Sequence, residues 1–428
     1  MDRRTFLKMT IASTTASAAL GLRDESIAHT NGHSNSMLED EKYWASIRDE
    51  FPISHGDLIY MNNGTMGPSP RVVTERVTKR IEHVDSTGDY GGDYEAIRKA
   101  LARVVNAESG DRIAFTHNVS EAISIIASGI ELKSGDEVIL TDQEHAGNAI
   151  PWLARKKRDG IEIKFVRVTN GEAQLPASDD EILQRFRDAI TPRTRAMSVP
   201  HLTCTTGHLL PIKRLVAMAR EKGIWFLADG AHPPGMLKTD VQDLGVHAYA
   251  SCGHKWLCGP KGIGFLYISP DFQEHVIPTW TGGEADKYWG YDGKLDFLDT
   301  ASRYDFATQN FALFDGLLGA IEYQENIGFG KIEQRVKYLA TLLRNGLNDL
   351  NNGRFHFLTP PSSLTGLTTI KLDKMDCQDF ANALMTKAKV RTRVVHESKL
   401  NANRLSVHIY TSEDDVRRFL EGVKSVLA

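Results

Sequence analysis

Cysteine is scarce in this chain. Only Cys204, Cys252, Cys258 and Cys377 occur among 428 residues. Four are too few for a disulfide scaffold, and no pair has the spacing of a zinc ribbon. An excess of one charge is also missing. Lys and Arg number 51 against 55 Asp and Glu, a formal net charge of −4. That argues against a nucleic-acid footprint, which needs a basic face. Long apolar runs are absent too. The one mildly apolar stretch, near the N-terminus, is rich in Ser and Thr and falls short of the roughly 20 apolar residues of a permanent membrane anchor. No internal repeat or low-complexity tract interrupts the body of the chain. What is present, 41% hydrophobic and 25% charged residues, describes a soluble globular protein. The length exceeds one small core, so a large and a small domain are expected.

The first 22 residues, "MDRRTFLKMTIASTTASAALGL", pair Arg3 with Arg4, then place Phe6, Leu7 and Lys8 before the small apolar run. This resembles a twin-arginine export signal, assigned to residues 1–30. The resemblance implies a partner in the twin-arginine export machinery, passage in folded form, and a periplasmic destination. Residues 31–70 read as a polar linker and an N-terminal segment.

From residue 71 the pattern alternates. "PSPRVVTERVTKRIEHV", "DYEAIRKALARVVNA" and "PIKRLVAMAREKG" have helical periodicity. Between such stretches lie the short apolar runs "RIAFTH", "EVILTD", "IKFVRV", "RAMSVPHL", "WFLADG", "AYASCG" and "IGFLYI". Short strands spaced by helices predict an α/β domain, residues 71–315, with a mostly parallel sheet covered on both faces. The last two runs are too close for a crossover helix, so one of them is expected to be antiparallel. Residues 316–428 alternate helices with "LTGLTTIKL", "VRTRVV" and "RLSVHIY", which predicts a smaller α+β domain.

Ligands of open α/β sheets bind at the carboxyl ends of the strands. Polar clusters follow the runs at those ends: "THNVSEA", "QEHAGN", "HLTCTTG", "DGAH" and "CGHK". Singly, each has an ordinary explanation. Asp229 could cap a helix, Ser120 could do the same, and His145 could be structural. Together they offer a helix start for a phosphate at Val119 and Ser120. They also offer a flat ring for stacking at His145, a carboxylate for a ring nitrogen at Asp229, and an amine at Lys255. That inventory suits pyridoxal 5'-phosphate. His201, Cys204 and His208 also lie close in sequence and are the candidate set for a metal; the family resemblance given next implies that they fall where the ring is contacted, and on that ground no metal is expected.

The order and wording of these segments resemble the class V aminotransferase family of fold-type I pyridoxal-phosphate enzymes. The likeness runs from about Tyr60 to the C-terminus. The resemblance implies a large domain with a mostly parallel seven-stranded sheet and a smaller α+β C-terminal domain. It implies that Lys255 of "GHKW" bears the cofactor and that His254 reaches its phosphate. Asp229 would pair with the ring nitrogen, Ala231 would lie on one ring face, and His145 of "EHAGNAIPW" would lie on the other. His232 would reach the ring hydroxyl or phosphate side. Val119, Ser120, Thr203, Cys204 and Cys252 complete the implied cofactor shell. Thr308 of "RYDFATQN" would serve the phosphate of a second subunit, which implies a homodimer. Asn63 of "YMNNGTMGPSP" and Arg404 of "NRLSVHIYTSEDDV" would meet the substrate, Arg404 as a fork for its carboxylate.

Departures narrow the reading. Where cysteine desulfurases of this family carry a nucleophilic cysteine, near "VRTRVVHES", this chain has His396. Cys252 stands where they use a phosphate-binding Ser, Cys204 where they use an Asn, and Ala307 where a Gly is usual. "NNG" and "HKWLCGPKG" resemble the isopenicillin N epimerase-like branch and, with the export signal, its periplasmic pyoverdine-tailoring enzymes. The expected substrate is a small-molecule amino acid or a residue in a peptide-like metabolite. The expected outcome is epimerisation or transamination, with β-lyase chemistry as the alternative. A binding protein that kept the fold without the chemistry is disfavoured by the intact Lys255, Asp229 and His145.

Overall fold

The computed structural model describes residues 41–428. The expected export signal lies outside the described residues. The chain divides into two units, Met1–Tyr43 and Trp44–Ala428, and the second carries everything that follows.

Seven strands form its main sheet: β1 (Ile113–Thr116), β2 (Glu137–Thr141), β3 (Glu162–Val166), β4 (Thr194–Pro200), β5 (Trp225–Asp229), β6 (Ala248–Cys252) and β7 (Gly264–Ile268). Their order is β1-β7-β6-β5-β4-β2-β3. β7 runs antiparallel to both neighbours, and the other pairings are parallel. Each strand matches one of the seven apolar runs, and the closely spaced pair contains the antiparallel strand.

The sequence forms this sheet because most strands carry a short apolar run and are buried along nearly their whole length. All residues of β1, β2, β5 from Phe226, β6 and β7 are buried, as expected for a sheet covered on both faces. Alternation sorts side chains by size. Phe115, Phe226, Tyr249, Phe265 and Tyr267 point to one face and pack against Phe314, Leu317 and Ile321. Ala114, Ala196, Ala248 and Ala250 point to the other, where Ala122, Ile123 and Ile126 pack. Small residues on that face let helix α1 (Val119–Gly129) lie close to the strands. Fully burying one large apolar side chain stabilises by about 1.5–3 kcal/mol. The edges are managed differently. β3 exposes Glu162 and Phe165, and its charged Glu162 and Lys164 discourage further pairing. At β1, the Asp305 carboxylate accepts the Phe115 N–H at 2.8 Å.

A second, antiparallel sheet has the order β8-β9-β11-β10, from β8 (Phe355–Phe357), β9 (Leu367–Leu372), β10 (Arg393–Val395) and β11 (Ala402–Ser406). The run "VRTRVV" does not form one strand. Val390–Arg391 pairs with Ile59–Tyr60, whereas β10 pairs with β11. Thr392 lies at the break, its hydroxyl donating to Asn403 Oδ1 at 2.9 Å. A hairpin of Asp286–Trp289 and Leu295–Phe297 exposes Tyr288, Trp289 and Tyr291; its exposed, polar-aromatic pattern gave no strand signal. Among the described residues, no helix is long and apolar enough to cross a membrane.

Candidate active site

The polar clusters converge at the carboxyl ends of β1, β2, β4, β5 and β6. There, a cavity of about 220 Å³ is lined by Val119, Ser120, His145, Cys204, Asp229, Ala231, Cys252, His254, Lys255 and Arg404. These ten are among the residues expected from the sequence. Gly64, Thr65, Asn118 and Arg393 line it as well.

At the head of α1, Asn118 is the cap, not Ser120. Its Oδ1 accepts the Glu121 N–H at 3.0 Å. The first N–H groups of a helix have no partner within the helix, so Val119 and Ser120 present donors at the cavity wall. His145 caps helix α2 (Ala146–Asp159), its Nδ1 accepting the Gly147 N–H at 3.0 Å. Glu144 beside it is held by Thr141 N–H and hydroxyl and by Asn148 Nδ2, at 2.8, 2.7 and 2.6 Å. Burial nevertheless pushes its carboxyl up to about 8, and Asp229 adds to the rise.

Asp229 ends β5 and is 5% exposed. Its Oδ1 accepts the Ala231 N–H at 3.0 Å. Burial raises its pKa and the Lys255 charge opposes the rise. Burial, with the Lys255 charge adding, lowers His254 to about 4 and lowers His145 and His232 from their ordinary value. These three rings are therefore neutral near pH 7. The buried Cys252 thiol is pushed up to about 11, and burial raises Cys204 as well, so neither is a ready thiolate.

Lys255 is framed by backbone. Gly67 N–H donates to His254 O at 2.8 Å, and a Cβ on Gly67 would fall 1.9 Å from Lys255 O. On the other side the turn after Lys255 needs Gly262 at φ +82°, where a side chain would be strained. The second lysine of that turn, Lys261, is tied to Ser69 Oγ at 3.0 Å.

Arg404, on β11, is 1% exposed. Its Nη1 donates to Cys204 O at 2.7 Å and its Nη2 to Thr65 Oγ1 at 3.1 Å. Neither Glu413 nor Asp414 pairs with it; Glu413 accepts from Tyr338 and Asp414 from Arg417. Burial, reinforced by Arg393, lowers Arg404 to about 9.

Four expected residues do not line this cavity. Thr203 is fully buried; its hydroxyl shares a hydrogen bond with Thr206 at 2.7 Å and accepts the His208 N–H at 2.8 Å, closing its own loop. Asn63 is buried with its Oδ1 taken by the Tyr410 hydroxyl at 3.2 Å, and the turn presents Gly64 and Thr65 instead. His232 is buried behind the wall, its Nδ1 accepting from Trp256 Nε1 at 3.1 Å. Thr308 is exposed on the surface of its own chain. Of the residues that sequence reasoning missed, Gly64 and Thr65 follow Asn63 in the segment it singled out. Asn118 precedes Val119. Arg393 was not missed: with Arg391 it stands next after Arg404 as a candidate for the substrate carboxylate, and of those two only Arg393 lines the cavity. His201 bonds Tyr249 at 2.9 Å, and among the described residues no three His, Cys, Asp or Glu side chains are grouped to hold a metal.

Comparison with known proteins places the chain among relatives of known fold. An isopenicillin N epimerase of Amycolatopsis lactamdurans is 28% identical over 90% of this chain and 98% of the relative. A probable cysteine desulfurase of Methanothermobacter thermautotrophicus is 27% identical over 89% and 97%. Among solved structures, a C-DES lysine-to-alanine variant with glycine covalently linked to its PLP cofactor superposes with a TM-score of 0.79. It shares 26% identity over 88% of this chain and 98% of that one. C-DES, described as a cystine C–S lyase, also superposes as a complex with cysteine persulfide, with a TM-score of 0.77 and 26% identity over 86% and 97% of the two chains. The fold is thus the α/β fold of fold-type I pyridoxal-phosphate enzymes, with its mostly parallel seven-stranded sheet. The profile described as Aminotransferase class-V matches residues 77–419, and the chain belongs to the class V aminotransferase family.

Proposed function

We propose that this protein is a pyridoxal-phosphate enzyme acting at the α-carbon of an amino acid or of an amino-acid residue in a peptide-like metabolite, as an epimerase or transaminase. One observation carries the reading: Lys255, Asp229 and Arg404 line a single cavity. The residues present fit the cofactor. His254 Nδ1 is buried without a partner beside the free N–H groups of α1, a donor set suited to phosphate. A carboxylate as buried as Asp229 calls for a cationic partner, which a protonated ring nitrogen supplies. Lys255 would hold the aldehyde, and His145 would stack on the ring. The bound cofactor supplies an electron-withdrawing ring that accepts the electron pair freed at the α-carbon.

The chain's own groups do the rest. Arg404 grips the substrate carboxylate and so fixes the Cα–H bond. Lys255 Nζ takes that proton. Supply of a proton to the opposite face of the same carbon by a second donor gives epimerisation, and delivery of the abstracted proton away from that carbon gives transamination. The β-lyase alternative draws on the desulfurase and C–S lyase relatives. It is disfavoured in its persulfide form. His396 stands at the nucleophile's place and faces Cys377 Sγ at 3.7 Å, and both cavity thiols are raised by burial. We further propose twin-arginine export to the periplasm and a homodimer in which Thr308 serves the partner's site.

Borohydride reduction followed by peptide mapping tests the assignment. The label should lie on Lys255, and Lys255→Ala should lose both label and α-proton exchange into deuterated water. A label on Lys261, or exchange that persists in Lys255→Ala, would refute it.

A further inference from the structure

Building on the proposed α-carbon chemistry, the cavity wall also narrows the class of amino acid. β10 and β11 pair antiparallel with Arg393 directly opposite Arg404. Directly opposed residues share a sheet face with Cβ atoms about 5 Å apart, and like charges so placed are destabilising. Both side chains line the cavity that holds Lys255. The protein supplies one carboxylate for the two: Glu397 pairs with Nη2 of Arg393. Nη1 of Arg393 is buried without a partner, and so is Nε of Arg404. An unanswered Nε also occurs on Arg80 and Arg303, away from the cavity, but among the described residues a buried terminal Nη without a partner occurs on Arg393 alone, and buried donors are ordinarily answered. A substrate α-carboxylate on Arg404 answers one guanidinium and leaves Arg393 with an unmatched donor in the same wall.

We propose that Arg393 is a specificity-determining residue that binds a second carboxylate of the substrate, so that the preferred substrate is a free dicarboxylic amino acid. The charges facing it are consistent with an anionic guest. Lys255 enters from the turn after β6 and Arg404 from β11, while Asp229 enters from β5 and Glu397 from the turn after β10.

The test uses glutarate and butyrate, which differ in the second carboxylate and cannot react. Calorimetric titration of the holoenzyme should give glutarate at least roughly tenfold tighter binding, the size expected of one charged hydrogen-bonding contact. Arg393→Gln should abolish that preference while butyrate still binds. Arg393→Gln combined with Glu397→Gln should do the same, which separates lost recognition from the effect of a stranded carboxylate. Equal binding of the two acids by wild type, or a preference that survives both variants, would overturn the inference. In turnover, wild type should favour L-glutamate or L-aspartate over L-glutamine in kcat/KM, and Arg393→Gln should not. A protein that exchanges the α-proton of no amino acid would instead overturn the proposed chemistry, and the glutarate preference would stand apart from that failure.

Discussion

Gly67→Ala is a one-methyl perturbation aimed at the lysine from outside the cavity. The added Cβ would sit 1.9 Å from Lys255 O, a backbone atom with no side chain to swing away. Real Cβ contacts almost never fall below 3.0 Å, so one of the two backbones must shift by about 1 Å, a displacement that costs on the order of 10²-fold in rate when it misplaces a reacting group. The shift also strains the Gly67 N–H bond to His254 O, 2.8 Å long, and the Cys258 N–H bond to Lys255 O, 3.3 Å long. Overpacking of this kind costs about 1–3 kcal/mol, and a weakened hydrogen bond adds about 1 kcal/mol. The expected result is a melting temperature lower by several degrees, weaker cofactor absorbance and a rate of α-proton exchange lowered about a hundredfold. Gly330→Ala is the control. Its Cβ would meet nothing, and it lies in the helix Phe329–Leu350, where Ala is favoured over Gly by up to about 1 kcal/mol. A Gly67→Ala enzyme that melts, absorbs and exchanges like wild type would refute the claim that this close approach sets the lysine's position.

Arg404→Lys keeps a charge but loses the fork, so substrate capture should weaken roughly ten- to a hundredfold while cofactor absorbance stays unchanged; unaltered exchange kinetics would move the carboxylate site. Glu144 has its folded pKa raised from 4.5 to about 8. Its contribution is thus full below pH 4.5 and lost as pH rises toward 8. Urea midpoints should therefore fall for wild type relative to Glu144→Gln across that window, and parallel pH profiles would contradict this. Replacing Arg3 and Arg4 by Lys should trap the precursor in the cytoplasm with its fold intact, and normal periplasmic amounts of the double variant would sink the export reading. Sedimentation should report a dimer, and a dilute monomer with full cofactor occupancy would exclude the proposed role of Thr308.

The sheet was legible because its strands are buried on both faces. A short apolar run such as "VIL" bounded by polar residues leaves few alternatives, and the crossover argument identified the antiparallel neighbour. The cavity was legible because sheet ligands gather at strand ends, which is a rule about sequence position as much as space. What escaped follows from side-chain direction. Nothing in "HLTCTTG" says that Thr203 turns inward to Thr206 while Cys204 faces the cavity. Nothing in "THNVS" says that the chain enters α1 two residues before Ser120, so that Asn118 caps it. Arg393 reaches the cavity only because Thr392 breaks the run "VRTRVV" and hands its second half to β11, a tertiary choice that no local propensity encodes.

The neighbours of Lys255 explain how one residue can be both anchored and mobile. Trp256 is fully buried. Its ring N–H donates to His232 Nδ1 at 3.1 Å. Its carbonyl accepts from Gln324 Nε2 at 2.7 Å and lies 2.9 Å from His408 Nε2. On the other side, His254 O is fixed by Gly67. Four segments far apart in sequence thus immobilise the backbone on both flanks of the lysine, through bonds that leave its side chain untouched. His232, which does not reach the cavity, contributes here as a support for Trp256. The division has a chemical reason. On the proposed chemistry the amine would swing between the cofactor and the substrate's α-carbon, and a swinging group hands over a proton at a defined face only if its root does not move.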